Sequence, residues 1–120
     1  RYHDPECCAR ETAALLALPQ PPTCILFPDD FSAIGGLNTI AAAGLRVPDD
    51  ISVAGYDGIY LCQTMSPRLT TYRQDTAALG RTAAARLIEL IEKPRTTVMD
   101  RTVVTGALLP GGTVASPRTE

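Results

Sequence analysis

Two spacings of apolar residues alternate along this chain. Residues 5–18 (PECCARETAALLAL) bring Ala14, Leu15 and Leu18 onto one face at helical spacing, with Asp4 as cap and Pro5 in the first turn. The prolines of PQPP (19–22) stop that helix, and TCILF (23–27) is an unbroken apolar run that predicts a buried strand ended by Pro28. A second helix is predicted over 31–43, capped by Asp30, with Ile34, Leu37, Ile40 and Ala41 as its stripe. Gly35 and Gly36 interrupt this helix at a cost of about 1 kcal/mol each relative to Ala, so close approach of another backbone must compensate. Gly44 reads as its left-handed end. ISVAG (51–55) is a second buried strand, 57–68 a loop with room for one helical turn, and LTTYRQ (69–74) is extended. The strongest helix is 75–92, capped by Asp75 or Thr76, with Leu79, Ala83, Leu87 and Leu90 at the helical period. VMDRTVVT (98–105) reads as a last strand and the Gly/Pro/Ser-rich tail as loop.

Helix and strand therefore alternate, and the strands are continuous apolar runs. That pattern predicts an α/β fold, a parallel sheet sandwiched between helices in three layers. A chain of 120 residues is one compact domain's worth.

Composition narrows the function. At 45% hydrophobic and 20% charged the chain is globular. No apolar run approaches the ~18 residues of a membrane span, so no membrane partner is expected. Net charge is −2 and the basic residues are scattered, which makes this stretch a poor nucleic-acid binder by itself. The four cysteines, at 7, 8, 24 and 62, form no CxxC pair, and the single histidine, His3, lies near one end. Neither a metal site nor a cofactor is predicted, and reduced thiols suit a cytoplasmic protein. The chain starts RYHDPECC, without Met or an apolar leader, and reads as an excised piece.

Catalytic arrangements are missing. His3 supports no interior triad, and no GxSxG, GxGxxG or P-loop pattern occurs, so no enzyme is expected. Asp30, Asp49 and Asp50 read as helix and turn caps. Asp29 and Asp57 differ, because each follows the carboxyl end of a predicted parallel strand, the edge at which open α/β sheets bind ligands. Carboxylates there could accept hydrogen bonds from sugar hydroxyls or base amines, or Asp57 could serve only the amides of its own loop.

The segments PTCILFPDDFSAIGGL, GLRVPDDISVAGYDGI, PRLTTYRQ and LGRTAAARLIELI, in this order, resemble the effector-binding core of LacI/GalR-family transcriptional regulators, with LLPGGT similar to that family's closing segment. The resemblance covers about residues 20–113 and implies the C-terminal lobe of a periplasmic-binding-protein-like fold. It implies part of an effector-binding and dimerisation domain over 1–120, the DNA-binding head being absent and residues 75–97 resembling a segment of the missing N-terminal lobe. The partners implied are a small-molecule effector, most simply a sugar, a second copy of the chain, and operator DNA through the missing head only. Carried over by position, Asp57, Asp29 and Gln74 are ligand contacts; Asp29 replaces the Asn found in many members, which favours a polyhydroxylated ligand. Tyr56 packs. Ile34, Leu37 and Met65 fall on elements implied to form the dimer interface, and the glycine pair could belong to that surface or to packing on the sheet. Without the N-terminal lobe the apolar face of 75–92 is predicted to dock elsewhere, on its own sheet or on a partner chain. The alternative function is a sugar-binding protein of an ABC transporter with the same fold.

Overall fold

The computed structural model describes residues 4–96, 98 and 100–117. His3 and Met99 lie outside them. The chain divides into two compact units, one formed by Arg1–Arg73 with Leu108–Glu120, the other by Gln74–Ala107.

The first unit begins with α1 (Pro5–Leu16), whose N-terminus is capped by Asp4 accepting from the Cys7 amide at 2.9 Å. Strands β1 (Cys24–Leu26), β2 (Ser52–Asp57) and β3 (Thr70–Arg73) pair in parallel in that order, with Ile25 opposite Val53 and Gly55 opposite Thr71. Between them lie α2 (Asp30–Ala42) and the single turn α3 (Tyr60–Gln63). Gly44 ends α2 at a φ of 75°, the left-handed conformation that glycine adopts without steric cost. Ile25, Phe27, Ala33, Ile40, Ile51, Val53, Cys62 and Leu69 make the core. Alternation along the strands sends Val53 and Thr71 to the face on which α2 packs. Cys24 and Leu26 point the other way, and Leu26 is 73% exposed. The strand expected to be wholly buried is therefore covered on one side only.

The glycine pair has an intramolecular explanation. A Cβ on Gly35 would lie 2.2 Å from the Pro5 carbonyl oxygen, and one on Gly36 would lie 2.0 Å from the Phe27 ring. Gly35 lets α1 cross α2 at backbone distance, which is the close approach that the sequence requires, and Gly36 admits the aromatic ring into the core.

The tail completes this unit. Thr113 is buried; its hydroxyl donates to the Val53 carbonyl at 2.7 Å and accepts from the Thr70 amide at 2.9 Å. Its backbone carbonyl accepts from the Val53 amide, and the Gly112 amide donates to Arg68. LPGGT thus stitches the entrance of β2 to that of β3. The final strand, β4 (Ala107–Leu109), stands beside β3 in the sheet order. The strand expected over 98–105 is corrected: its described residues carry no strand, and the one that forms is Ala107–Leu109, next to residues 111–113 whose bonds to Arg68, Thr70 and Val53 fix the chain at the sheet.

The second unit is α4 (Thr76–Glu92) and the segment after it. Asp75 caps α4 by accepting from the Ala78 amide at 2.8 Å. Arg86 bonds Glu89 at 3.0 Å and pairs with Asp100, which ties the following loop to the helix. No residue of α4 is buried, and Leu87 is 58% and Ile91 70% exposed. Within its own unit this helix therefore finds no cover for its apolar face. Amphipathic spacing specifies that a face needs cover, not where the cover comes from.

Candidate functional site

The carboxyl ends of β1, β2 and β3 converge on one edge of the sheet. The chain leaves β1 through Phe27 and Pro28 into Asp29 and Asp30, leaves β2 at Asp57 and Gly58, and leaves β3 at Arg73. In parallel α/β sheets this edge carries the helix N-termini and the turns, so polar groups gather there.

Asp57 is the last residue of β2, half-buried, with a φ of 112°. Non-glycine residues enter that region only where their surroundings hold them there. Gly58 follows at a φ of 70°, and a Cβ on it would lie 2.4 Å from the Arg73 side chain. The register sets Arg73 opposite Asp57 and Tyr72 opposite Tyr56. The two tyrosine rings stack with centroids 5.6 Å apart and planes 16° from parallel, so Tyr56 packs as expected.

The cap of α2 falls one residue earlier than the sequence reading placed it. Asp29, not Asp30, is the N-cap of α2: its carboxylate accepts from the Ser32 amide and the Ser32 hydroxyl, each at 2.8 Å. Asp29 is 2% exposed. Asp30, one residue into the helix, is fully buried and reaches across the sheet edge. Its carboxylate accepts from the Thr71 hydroxyl at 2.6 Å and from the Ile59 amide at 2.8 Å. Thr71 Oγ1 in turn accepts from the Gly58 amide at 3.3 Å. Gly55 makes room for this network, since a Cβ there would lie 2.4 Å from the Asp30 carboxylate.

Gln74 is half-buried and is the first residue of the second unit. Within the first unit the edge therefore brings together Asp29, Asp30, Asp57, Thr71 and Arg73. Asp30's reach and Arg73's place escaped the sequence reading. Counting LTTYRQ as a strand that ends in register with GYD would have found Arg73; no local signal marks Asp30.

Reactive chemistry is weak here. Burial, followed by the Asp30 charge, pushes the Cys62 thiol from 9.0 up to about 11, so it stays protonated and a poor nucleophile. Among the described residues no group of three His, Cys, Asp or Glu side chains could hold a metal. The edge is built to accept and donate hydrogen bonds. That is recognition chemistry.

Ile34, Leu37 and Met65 are half-buried and pack against the core from its rim. Leu37 and Met65 share an apolar hollow of about 220 Å³ with Ala41, Leu45, Val47 and Pro67. Ile34 does not line it.

Residues 2–114 match the family described as the periplasmic binding protein-like domain. The chain is 48% identical over 82 residues to the "Probable HTH-type transcriptional repressor ExuR" of Bacillus subtilis (strain 168), an alignment covering 68% of this chain and 25% of the repressor. It superposes on a dimeric Lac repressor carrying an 11-residue C-terminal deletion with a TM-score of 0.87 and 31% identity, over 96% of this chain and 42% of that one. A LacI family transcriptional regulator from Arthrobacter sp. FB24 in complex with lactose gives a TM-score of 0.80 and 32% identity, over 92% and 41% of the two chains. The chain thus spans about a quarter of the length of the repressor ExuR.

Proposed function

The chain belongs to the periplasmic binding protein-like domain family, among its LacI-type regulators, and from that premise we propose that it is the effector-sensing and self-associating part of a cytoplasmic DNA-binding repressor. The observation that carries this reading is Asp57, a carboxylate fixed at the carboxyl edge of the sheet in a backbone conformation that costs energy to hold. The effector is a polyhydroxylated small molecule, most simply a sugar; the lactose-bound relative supports that class. Asp57 accepts hydroxyl hydrogen bonds. Asp29 and Gln74 are the further polar contacts proposed for the effector, the first as a carboxylate acceptor and the second as an amide. Residues 75–97 belong with a lobe supplied by the rest of the protein, which provides the cover that α4 lacks. Ile34, Leu37 and Met65 form part of the contact between two copies; the dimeric relative supports such a contact. Operator DNA is bound by a separate head.

The alternative, a sugar-binding protein of a transporter, shares the fold, but the relatives named above are transcriptional regulators rather than transport proteins or enzymes. The test is a thermal-shift screen of the complete gene product against neutral sugars, acidic sugars and nucleosides. A hit that Asp57→Ala abolishes, and that alters operator binding, is the expected result. A hit that survives Asp57→Ala would remove Asp57 from the site. A gene product with no DNA-binding segment would favour the transporter.

A further inference from the structure

We infer that Asp30 and Thr71 are positioning residues that lock the Asp57 turn into its left-handed conformation, so that the effector carboxylate is fixed before any ligand arrives. This rests on the reading of Asp57 as an effector contact. The argument begins with the cost of the turn. Asp57 at a φ of 112° followed by Gly58 at 70° puts two successive residues in positive-φ backbone, only one of them glycine. A conformation of that kind persists when neighbouring bonds over-determine it.

Those bonds are present and converge on one carboxylate. Asp30 takes the Ile59 amide at 2.8 Å, immediately after the turn, and the Thr71 hydroxyl at 2.6 Å. Thr71 Oγ1 also accepts from the Gly58 amide at 3.3 Å. Two consecutive amides after Asp57 are therefore held, one directly and one through Thr71. Both anchors are rigid. Asp30 is fully buried on the first turn of α2, and Thr71 is 1% exposed in the middle of β3. Thr71 is opposite Gly55, whose missing side chain leaves the space that the Asp30 carboxylate occupies. A carboxylate on α2 that accepts from β3 and from the loop after β2 forms a brace rather than a cap, because a cap serves only its own helix.

The test is nuclear magnetic resonance of the 120-residue chain, with no effector added, on wild type, Asp30→Asn, Thr71→Val and Thr71→Ser. In wild type the three-bond coupling of the Asp57 amide takes the small value of positive φ. In Asp30→Asn and Thr71→Val it shifts toward the large value of an extended strand. Exchange of the Gly58 and Ile59 amides accelerates roughly tenfold or more, as loss of a hydrogen bond to a charged acceptor implies. Val53 stays protected in both variants, which reports an intact sheet, and Thr71→Ser restores the wild-type coupling and exchange. If Asp30→Asn fails to fold, Thr71→Val and Thr71→Ser carry the test, since valine keeps the volume of threonine and removes only the hydroxyl. Unchanged Asp57 coupling and unchanged Gly58 and Ile59 exchange in Thr71→Val would overturn the inference. Because the readout needs no effector, that failure is distinct from a failure of Asp57 to bind one, which the thermal-shift screen detects.

Discussion

Two helices of this chain both carry apolar residues at helical spacing, α2 nearly all round and α4 on one face, and meet different fates. In α2, Ala33 and Ile40 are completely buried between α1 and the sheet. In α4, Leu79, Leu87, Ile88 and Ile91 stay exposed and no residue is buried. The caps do not explain the contrast, because each helix has an aspartate accepting from a backbone amide at 2.8 Å. What separates them is a surface to pack on within their own unit. Local signals start a helix; only a partner surface makes its apolar face contribute to stability.

Paired substitutions would break or sharpen this contrast. The largest effect is expected at Ile40: Ile40→Ala should cost about 2–5 kcal/mol in urea unfolding, while Leu87→Ala should stay within about 0.5 kcal/mol. Equal losses would mean that α4 has cover in solution. Thr113→Val comes next, at about 1–3 kcal/mol, because it leaves the Thr70 amide and the Val53 carbonyl without their side-chain partner. The glycines separate the two helices by sign. Gly35→Ala forces a Cβ onto the Pro5 carbonyl and should destabilise by about 1–3 kcal/mol. Gly80→Ala meets nothing within 4 Å and should stabilise by about 0.5–1 kcal/mol. A melting-temperature gain for Gly35→Ala would disprove the close helix crossing.

The smallest effect is in pH. The Cys62 thiol is lifted from 9.0 to about 11 in the folded chain, so the unfolded chain loses its proton first as pH rises. This contribution to stability is intact below pH 9 and is lost between 9 and about 11. A Cys62→Ala chain should lack that step. At pH 8, iodoacetamide should modify exposed Cys24 and spare Cys62 until the chain unfolds.

What could be read in advance follows the range of the interaction. Asp4 and Asp75 were legible as caps because each bonds an amide three residues on. The place of Asp57 at the carboxyl end of β2 was legible because it follows the apolar run 51–55. That Asp29 rather than Asp30 caps α2 was not, since adjacent carboxylates satisfy the same local rule while Asp30 is engaged by Thr71 on a strand far along the chain. The misplaced last strand has a similar cause: Val103 and Val104 have strand propensity, but the strand beside β3 is Ala107–Leu109, chosen by contacts far along the chain. Family resemblance supplied the roles proposed for Asp57, Asp29 and Gln74. Periodicity alone supplied none of them.

The strap at Thr113 also sets a timetable. A nascent chain emerges from the ribosome N-terminus first, and domains tend to fold in that order. Here β2 and β3 are synthesised early, yet the residue that joins their entrances follows the whole of Gln74–Ala107. Until translation passes Thr113, the Val53 carbonyl and the Thr70 amide lack the hydroxyl that pairs them. Until Thr113 itself has emerged, β2 and β3 keep a half-closed entrance open to chaperones and proteases, so the finished first unit appears late in synthesis although most of its residues are made early.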